Sequence, residues 1–459
     1  MNKIVKFSLL FSSFCLVFGC GNHKNTPAIV GVMVDSTQTD NSWEVEEATF
    51  GESIDIAEAE KGKQFVNNTD YIKTILLYAG NSEMNAPILA LNQEEQLTLS
   101  FDVLNKQSIN VAYRIVHCDA RWNKSDIFET DFIEGTNNNP IIEVANSFNT
   151  QVNYLNYRAY IPNEYNRILL SGNYLLEVFN SSTPDSILFQ MPFYVVNQQV
   201  TIKPQMVAPR INDAKRYMQN INFTIQHPSY PINNPFQDIY VVAMQNQQRY
   251  TIKEGLQPAF TNDNELVYNY DEPTYFEGGN EFRFFDLKSL NYQTPEVSSI
   301  TFDDNMNHAN LAVNEKRTFK VYTSQADING RFLIKNDDGQ DPHTDADYIM
   351  THFKLKFDFD LPNGTVYVAG GLSQNQLLPE YALTFNNETS MYEADILLKQ
   401  GYYNYQFVTK FNETDKVDIN YVEGSHDETE NDYSILVYHK NQSLNTHELI
   451  GYQRFNSVK

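Results

Sequence analysis

From Tyr71 onward the chain is a succession of short runs in which apolar and polar residues alternate, with turn residues between them. "YIKTILLYA", "QLTLSFDVL", "INVAYRIVHC", "QVNYLNYRAYIP", "GNYLLEVFN" and "ILFQMPFYVV" fill 71 to about 198. Successive side chains of a strand point to opposite faces, so this alternation is the pattern of sandwich strands. No long stretch carries a 3.6-residue period. The aromatic content agrees, with 29 Tyr and 30 Phe against 2 Trp. Such rings suit pleated surfaces.

A second group, "VTIKPQMV", "QNINFTIQH", "DIYVVAMQ", "ELVYNY", "EFRFFDL" and "VSSITF", runs to about 345 and ends in the polar stretch "KNDDGQDPHTDADY". A third comprises "THFKLKFDFDL", "TVYVAGGL", "MYEADILL", "YYNYQFVTKF" and "DYSILVYHK". A length of roughly 440 residues beyond the leader suits about three domains. The expected architecture is all-β. Three consecutive immunoglobulin-like or early-set β-sandwich domains, at 70–198, 199–345 and 346–459, follow a lipidated flexible N-terminal tether.

The N-terminus has the features of a secretory signal peptide over 1–19. Lys3 and Lys6 precede an apolar stretch from Phe7 to Phe18, too short to span a bilayer. Val17-Phe18-Gly19-Cys20 resembles the bacterial lipobox, which implies acylation of Cys20. Residues 20–69 are expected to be an acidic tether. Seven carboxylates from Glu44 to Glu60 precede Lys61, and little there can form a core. Forty-nine flexible residues reach about 39 Å. Surface-exported lipoproteins of the Bacteroidota type carry acidic residues directly after the cysteine. Gly21-Asn22-His23-Lys24-Asn25 has none, which favours the periplasmic side of the outer membrane.

The net charge is −25, and loss of Lys3 and Lys6 with the leader makes it −27. A chain this acidic is a poor partner for nucleic acid or anionic lipid. Of its 3 cysteines, Cys15 leaves with the leader and Cys20 is acylated. Cys118 then has no second cysteine with which to form an intramolecular disulfide, and it is expected to be structural and unreactive.

A search for catalytic chemistry finds none. His447-Glu448-Leu449-Ile450-Gly451 starts like a zinc-protease helix but has Gly451 where the second histidine belongs. His117 and Cys118 are strand neighbours on opposite faces, so they make no dyad; His117 and Asp119 share a face but are two ligands only. Two acidic loops, Asp337 to Asp347 and Glu423 to Asp432, offer oxygen ligands without the spacing of a calcium loop, and solvated turns are the expectation. No metal, no cofactor and no small-molecule substrate is expected.

Several stretches together resemble one family. They are "YRIVHCDARWNKSDI" (113–127), "NSFNTQVNYLNYRAYIPN" (146–163), "LLSGNYLLEVF" (169–179), "GGNEFRFFDLKSLN" (278–291), "LLKQGYYNYQF" (397–407), "VEGSHDETENDYSILVYHK" (422–440) and "ELIGY" (448–452). In this order they resemble the plug proteins of the type IX secretion system of Bacteroidota. The resemblance spans about 70 to 459. It implies a non-enzymatic role: occupying the periplasmic opening of a very large outer-membrane β-barrel translocon when no cargo passes, which preserves the permeability barrier. Arg121, Trp122, Ser147 and Asn149 are the expected partner-binding residues, at strand ends or loops; the other reading of these positions is that they buttress the sandwich or a domain junction.

The alternative is a glycan-binding outer-membrane lipoprotein. "VYVAGGLSQNQ" followed by "MYEADILLKQGYYNYQF" is similar to early-set sandwiches that bind glycogen and starch. Those carry a sugar-stacking Trp where this chain has Ser373, Gln374, Asn375 and Gln376.

Overall fold

The computed structural model describes residues 67–104, 108–270, 272–412 and 417–458. The leader, Cys20 and the tether up to residue 66 lie outside the described residues. Asn67 and Asn68 already bond to the first sandwich, through a bridge to Phe189 and an amide donated to the Leu188 carbonyl (2.8 Å). The first sandwich therefore includes residues before 70.

The first sandwich has one sheet ordered Ile72–Ala79, Leu97–Leu104, Tyr154–Ile161, Glu143–Asn146. Its other sheet is ordered Ile88–Ala90, Thr183–Val196, Gly172–Asn180, Val111–Cys118, Asn139–Pro140. Alternation builds the core directly. Leu97, Leu99, Phe101 and Val103 all point inward, where Phe101 stacks on Tyr157 at 5.1 Å and meets Phe189 edge-on at 5.0 Å. The intervening Thr98, Ser100 and Asp102 are buried too. Their face is not open to water because the third sandwich covers it. Ser100 faces His343, and Asp102 meets Tyr348 and Lys399.

The second sandwich departs from the expected boundaries. One sheet is ordered Thr201–Val207, Met218–Gln226, Glu265–Tyr268, Phe260–Asn262, with Tyr275–Glu277 also on Met218–Gln226. The facing sheet joins Lys253–Glu254 and Ile239–Gln245 to the last two strands of the chain, Asp432–Asn441 and Thr446–Asn456. Tyr433, Ile435, Val437 and Ile450 share one core with Ile239, Val241 and Ala243.

The third sandwich is inserted between the two parts of the second. Its sheets draw on strands from Arg283–Asp286 to Val417–Asp418, including Val297–Asp303, Met306–Leu311, Tyr348–Lys356, Met391–Lys399 and Gly401–Phe411. The boundary at 345/346 thus cuts through this sandwich, and "EFRFFDL" and "VSSITF" belong to it rather than to the second. The physical reason is that alternation identifies a strand without naming its partner. Pairing across nearly two hundred residues is decided by which apolar faces close one core.

Candidate partner-binding surface

The turn after Val111–Cys118 is organised by Asp119. Its carboxylate accepts the amides of Arg121 and Asn123, each at 2.9 Å, and its carbonyl accepts the Trp122 amide at 3.0 Å. This holds Trp122 at φ +67°, in the left-handed region, and turns the indole inward. Trp122 is only 9% exposed. It meets Tyr194 edge-on at 5.3 Å, and the Arg249 guanidinium of the second sandwich lies 5.1 Å from its ring centre. Arg121 reaches the second sandwich as well, 5.3 Å over the Tyr240 ring. Both residues are therefore engaged at the junction of the first and second sandwiches. Trp122 is not an exposed partner anchor, because its turn buries it.

The same junction absorbs His117 and Cys118. The His117 Nδ1 lies 2.8 Å from Ser125 Oγ, which lies 2.7 Å from Thr446 Oγ1 of the second sandwich. Its Nε2–H donates to the Ser171 carbonyl at 3.3 Å. Burial pulls the imidazole down to about 4, so it is neutral at pH 7. Cys118 is buried beside Trp122.

Ser147 and Asn149 lie elsewhere, on a turn that leans on the third sandwich. Ser147 and Tyr154 exchange backbone and side-chain bonds at 2.9 and 3.1 Å. The Phe148 amide donates to the Thr344 carbonyl at 2.8 Å, and the Asp347 carboxylate accepts the amides of Gln151 and Val152, both at 3.0 Å. Asn149, at φ +58°, stays exposed, and Ser147 is half-buried. The four expected residues thus divide between two junctions and do not form one patch.

An apolar surface whose side chains face solvent lies beside Ser147 and was missed in the sequence. Glu143–Asn146 is the end strand of its sheet and pairs with Tyr154–Ile161 alone. Ile142 just before it is 86% exposed, Phe148 just after it 76%, and Val144 within it is partly exposed. A four-residue edge carrying Glu143, which faces Arg158 across the sheet, resists unwanted strand addition. The flanking Ile142 and Phe148 have no such protection. Their only sequence signal is an apolar residue among turn residues, and alternation does not reveal which strand ends a sheet. A second exposed pair, Phe319 (97%) and Val321, projects from a connection pinned by Arg317 to Glu423 (2.7 Å) and by Thr318 to the Tyr421 carbonyl (2.8 Å).

Several of the remaining candidate carboxylates are occupied by internal contacts. Asp338 accepts from Ser289 and Asn291, Asp341 from His343, Asp345 from the amides of Gln340 and Asp341, and Asp347 from the first sandwich. Glu423 is buried between Arg283 and Arg317, which hold its carboxyl down at about 2 against the cost of burial. Among the described residues these carboxylates are turned toward separate donors. The loop where a sugar-stacking Trp would sit is also committed: Gln374 donates to the Ile75 carbonyl of the first sandwich at 2.8 Å.

The fold and surface define a multi-sandwich β-protein whose exposed apolar side chains include a group at an open sheet edge and a pair on a projecting turn. Residues 72–197, the first sandwich, match the family described as type 9 secretion system plug protein, 1st domain. The crystal structure of a hypothetical protein from Parabacteroides merdae ATCC 43184, at 2.30 Å resolution, is similar to this chain with a TM-score of 0.82 and 32% sequence identity, covering 85% of this chain and 98% of that one. No curated protein matches. The chain belongs to the type 9 secretion system plug protein family. That is not an enzyme family, and membership implies association with the secretion system and the cell envelope. Among the described residues no helix is long and apolar enough to cross a membrane.

Proposed function

We propose that this protein closes the periplasmic opening of the type IX translocon barrel when no cargo is passing, held at the outer membrane by acyl chains on Cys20. The observation that carries the reading is that the family match falls on the sandwich bearing Ile142, Val144 and Phe148 at its open edge. Full burial of an Ile or Phe side chain contributes about 1.5–3 kcal/mol. A contact centred on these residues, with a polar rim from Ser147 and Asn149, is weak enough to dissociate when cargo arrives. Anchoring through Cys20 would offset that weakness by raising the local concentration of the plug.

The test is uptake of an antibiotic too large for ordinary porins. Loss of the protein should make the outer membrane leaky while secretion continues, and an Ile142→Ser/Phe148→Ser variant should reproduce the leak. An unchanged barrier in the deletion strain sinks the plug reading. Normal closure by the folded double variant sinks the choice of surface. Cys20→Ser should release the protein from membranes without detergent, and protease added to intact cells should leave the wild type uncut. Shaving would favour the surface glycan-binding alternative.

A further inference from the structure

The three sandwiches line a partly open cavity of about 180 Å³ where they meet. The first sandwich lines it with Met84 and Met191, the second with Met244, Leu436 and Tyr452, and the third with Arg331 and Gln374. An engineered apolar cavity of about 150 Å³ holds benzene, so this space suits one small ring or a short aliphatic chain. Three methionines on one wall system give an adaptable apolar surface.

The polar groups at this cavity are unevenly charged. Arg331 and Arg454 both bond through Nη2 to the one carboxylate of Asp432, Arg331 at 2.6 Å. Two guanidinium groups on one carboxylate leave a net positive charge beside Tyr452, within a chain whose net charge is −25. Arg331 spends a single N–H on that contact, and its fork has further donors. Among the described lining residues the one acid, Glu83, accepts the Ile334 amide at 3.0 Å, and a second guanidinium, Arg249, lines the cavity beside Arg331.

Two tight turns complete the wall of the cavity. Gln247, Gln374 and Asn375 all line it and all hold positive φ, at 58°, 57° and 53°. Left-handed backbone is uncommon for glutamine, and these positions fix the two tight turns that border the cavity.

We propose that this junction cavity binds a small monocarboxylate with an apolar body of about ring size, its carboxylate on Arg331 and its body among Met84, Met191, Met244 and Leu436. Bound there, the ligand touches all three sandwiches and favours the arrangement that closes around it. The site is independent of the open edge of the first sandwich and does not rest on the plug reading.

The probe is 3-phenylpropionate, titrated calorimetrically into the full folded chain, with 3-phenylpropanol as its uncharged counterpart. Saturable binding with a Tm that rises with probe concentration is expected. The alcohol should bind at least about tenfold more weakly, as should the acid to Arg331→Met, since a hydrogen bond to a charged group is lost in both. Ala86→Phe, which fills the cavity from a loop, should abolish binding. Absence of saturable binding overturns the site, and so does binding that survives Ala86→Phe in a folded variant. Equal affinity for acid and alcohol overturns the anion assignment. If Arg331→Met fails to fold, the acid–alcohol comparison on the wild type decides that point alone.

Discussion

The Lys399 ammonium of the third sandwich lies 2.6 Å from the Asp102 carboxylate of the first, and each side chain is 1% exposed. Asp102 also accepts from Tyr348 (2.7 Å) and Asn156 (2.8 Å), while Lys399 donates to the His343 carbonyl at 2.8 Å and sits 4.2 Å from the Tyr154 ring centre. Burying two charges is costly, and these further hydrogen bonds to both carboxylate oxygens and to the ammonium offset part of that cost. Lys399→Met leaves a buried carboxylate without its cation and should cost about 3–5 kcal/mol. Adding Asp102→Asn should restore part of that loss. Urea unfolding of the single and double variants measures it, and strictly additive losses would refute the coupling.

Trp122 has a structural role that can be separated from partner binding. Removing an indole packed between Tyr194 and Arg249 should cost about 3–5 kcal/mol. The melting temperature of purified Trp122→Ala should fall accordingly. An unchanged melting temperature would return Trp122 to the list of partner contacts.

His117 predicts a definite acid dependence. Its free imidazole titrates near 6.5 and the folded one at about 4, so between these values the unfolded chain binds the extra proton. The stability tied to neutral His117 is fully present above about pH 7. It is lost as pH falls from 6.5 toward 4, by about 3 kcal/mol in total. His343, His439 and His447 are also lowered by burial and add to the same trend. Unfolding free energies at pH 7 and 4.5, compared between wild type and His117→Gln, isolate the share of His117. A variant with the full wild-type pH slope would contradict the assignment.

The exposed apolar residues should behave differently from these buried ones. Ile142→Ser, Phe148→Ser and Phe319→Ser are each expected within about 0.5 kcal/mol of wild type. Only the first two should open the outer-membrane barrier, with Phe319→Ser as the matched control. A leak from Phe319→Ser alone would move the docking surface to the projecting turn.

The discontinuous second sandwich makes a prediction about fragments. Residues 346–459 on their own lack Arg283–Asp286, Val297–Asp303, Met306–Leu311 and Phe332–Ile334, which complete the third sandwich, and they strand Asp432–Asn441 without Ile239–Gln245. The isolated fragment should show no dispersed amide spectrum. A folded fragment would show that consecutive boundaries suffice.

Strand identity was determined by sequence alone. The alternation of Leu97, Leu99, Phe101 and Val103, or of Tyr433, Ile435 and Val437, is imposed by the two-residue period of the backbone and needs no partner to be recognised. The family resemblance was likewise carried by local stretches. What only the tertiary structure decided is partnership. Asp432–Asn441 crosses an inserted sandwich to reach Ile239–Gln245, and Asp102, an outward polar residue by pattern, is sealed beneath Lys399. Trp122 turns inward on Asp119, while Ile142 and Phe148 are left in water at a sheet edge. A period records which face a side chain is on. Whether that face meets water or another sandwich depends on contacts between residues hundreds of positions apart, and no local pattern encodes them.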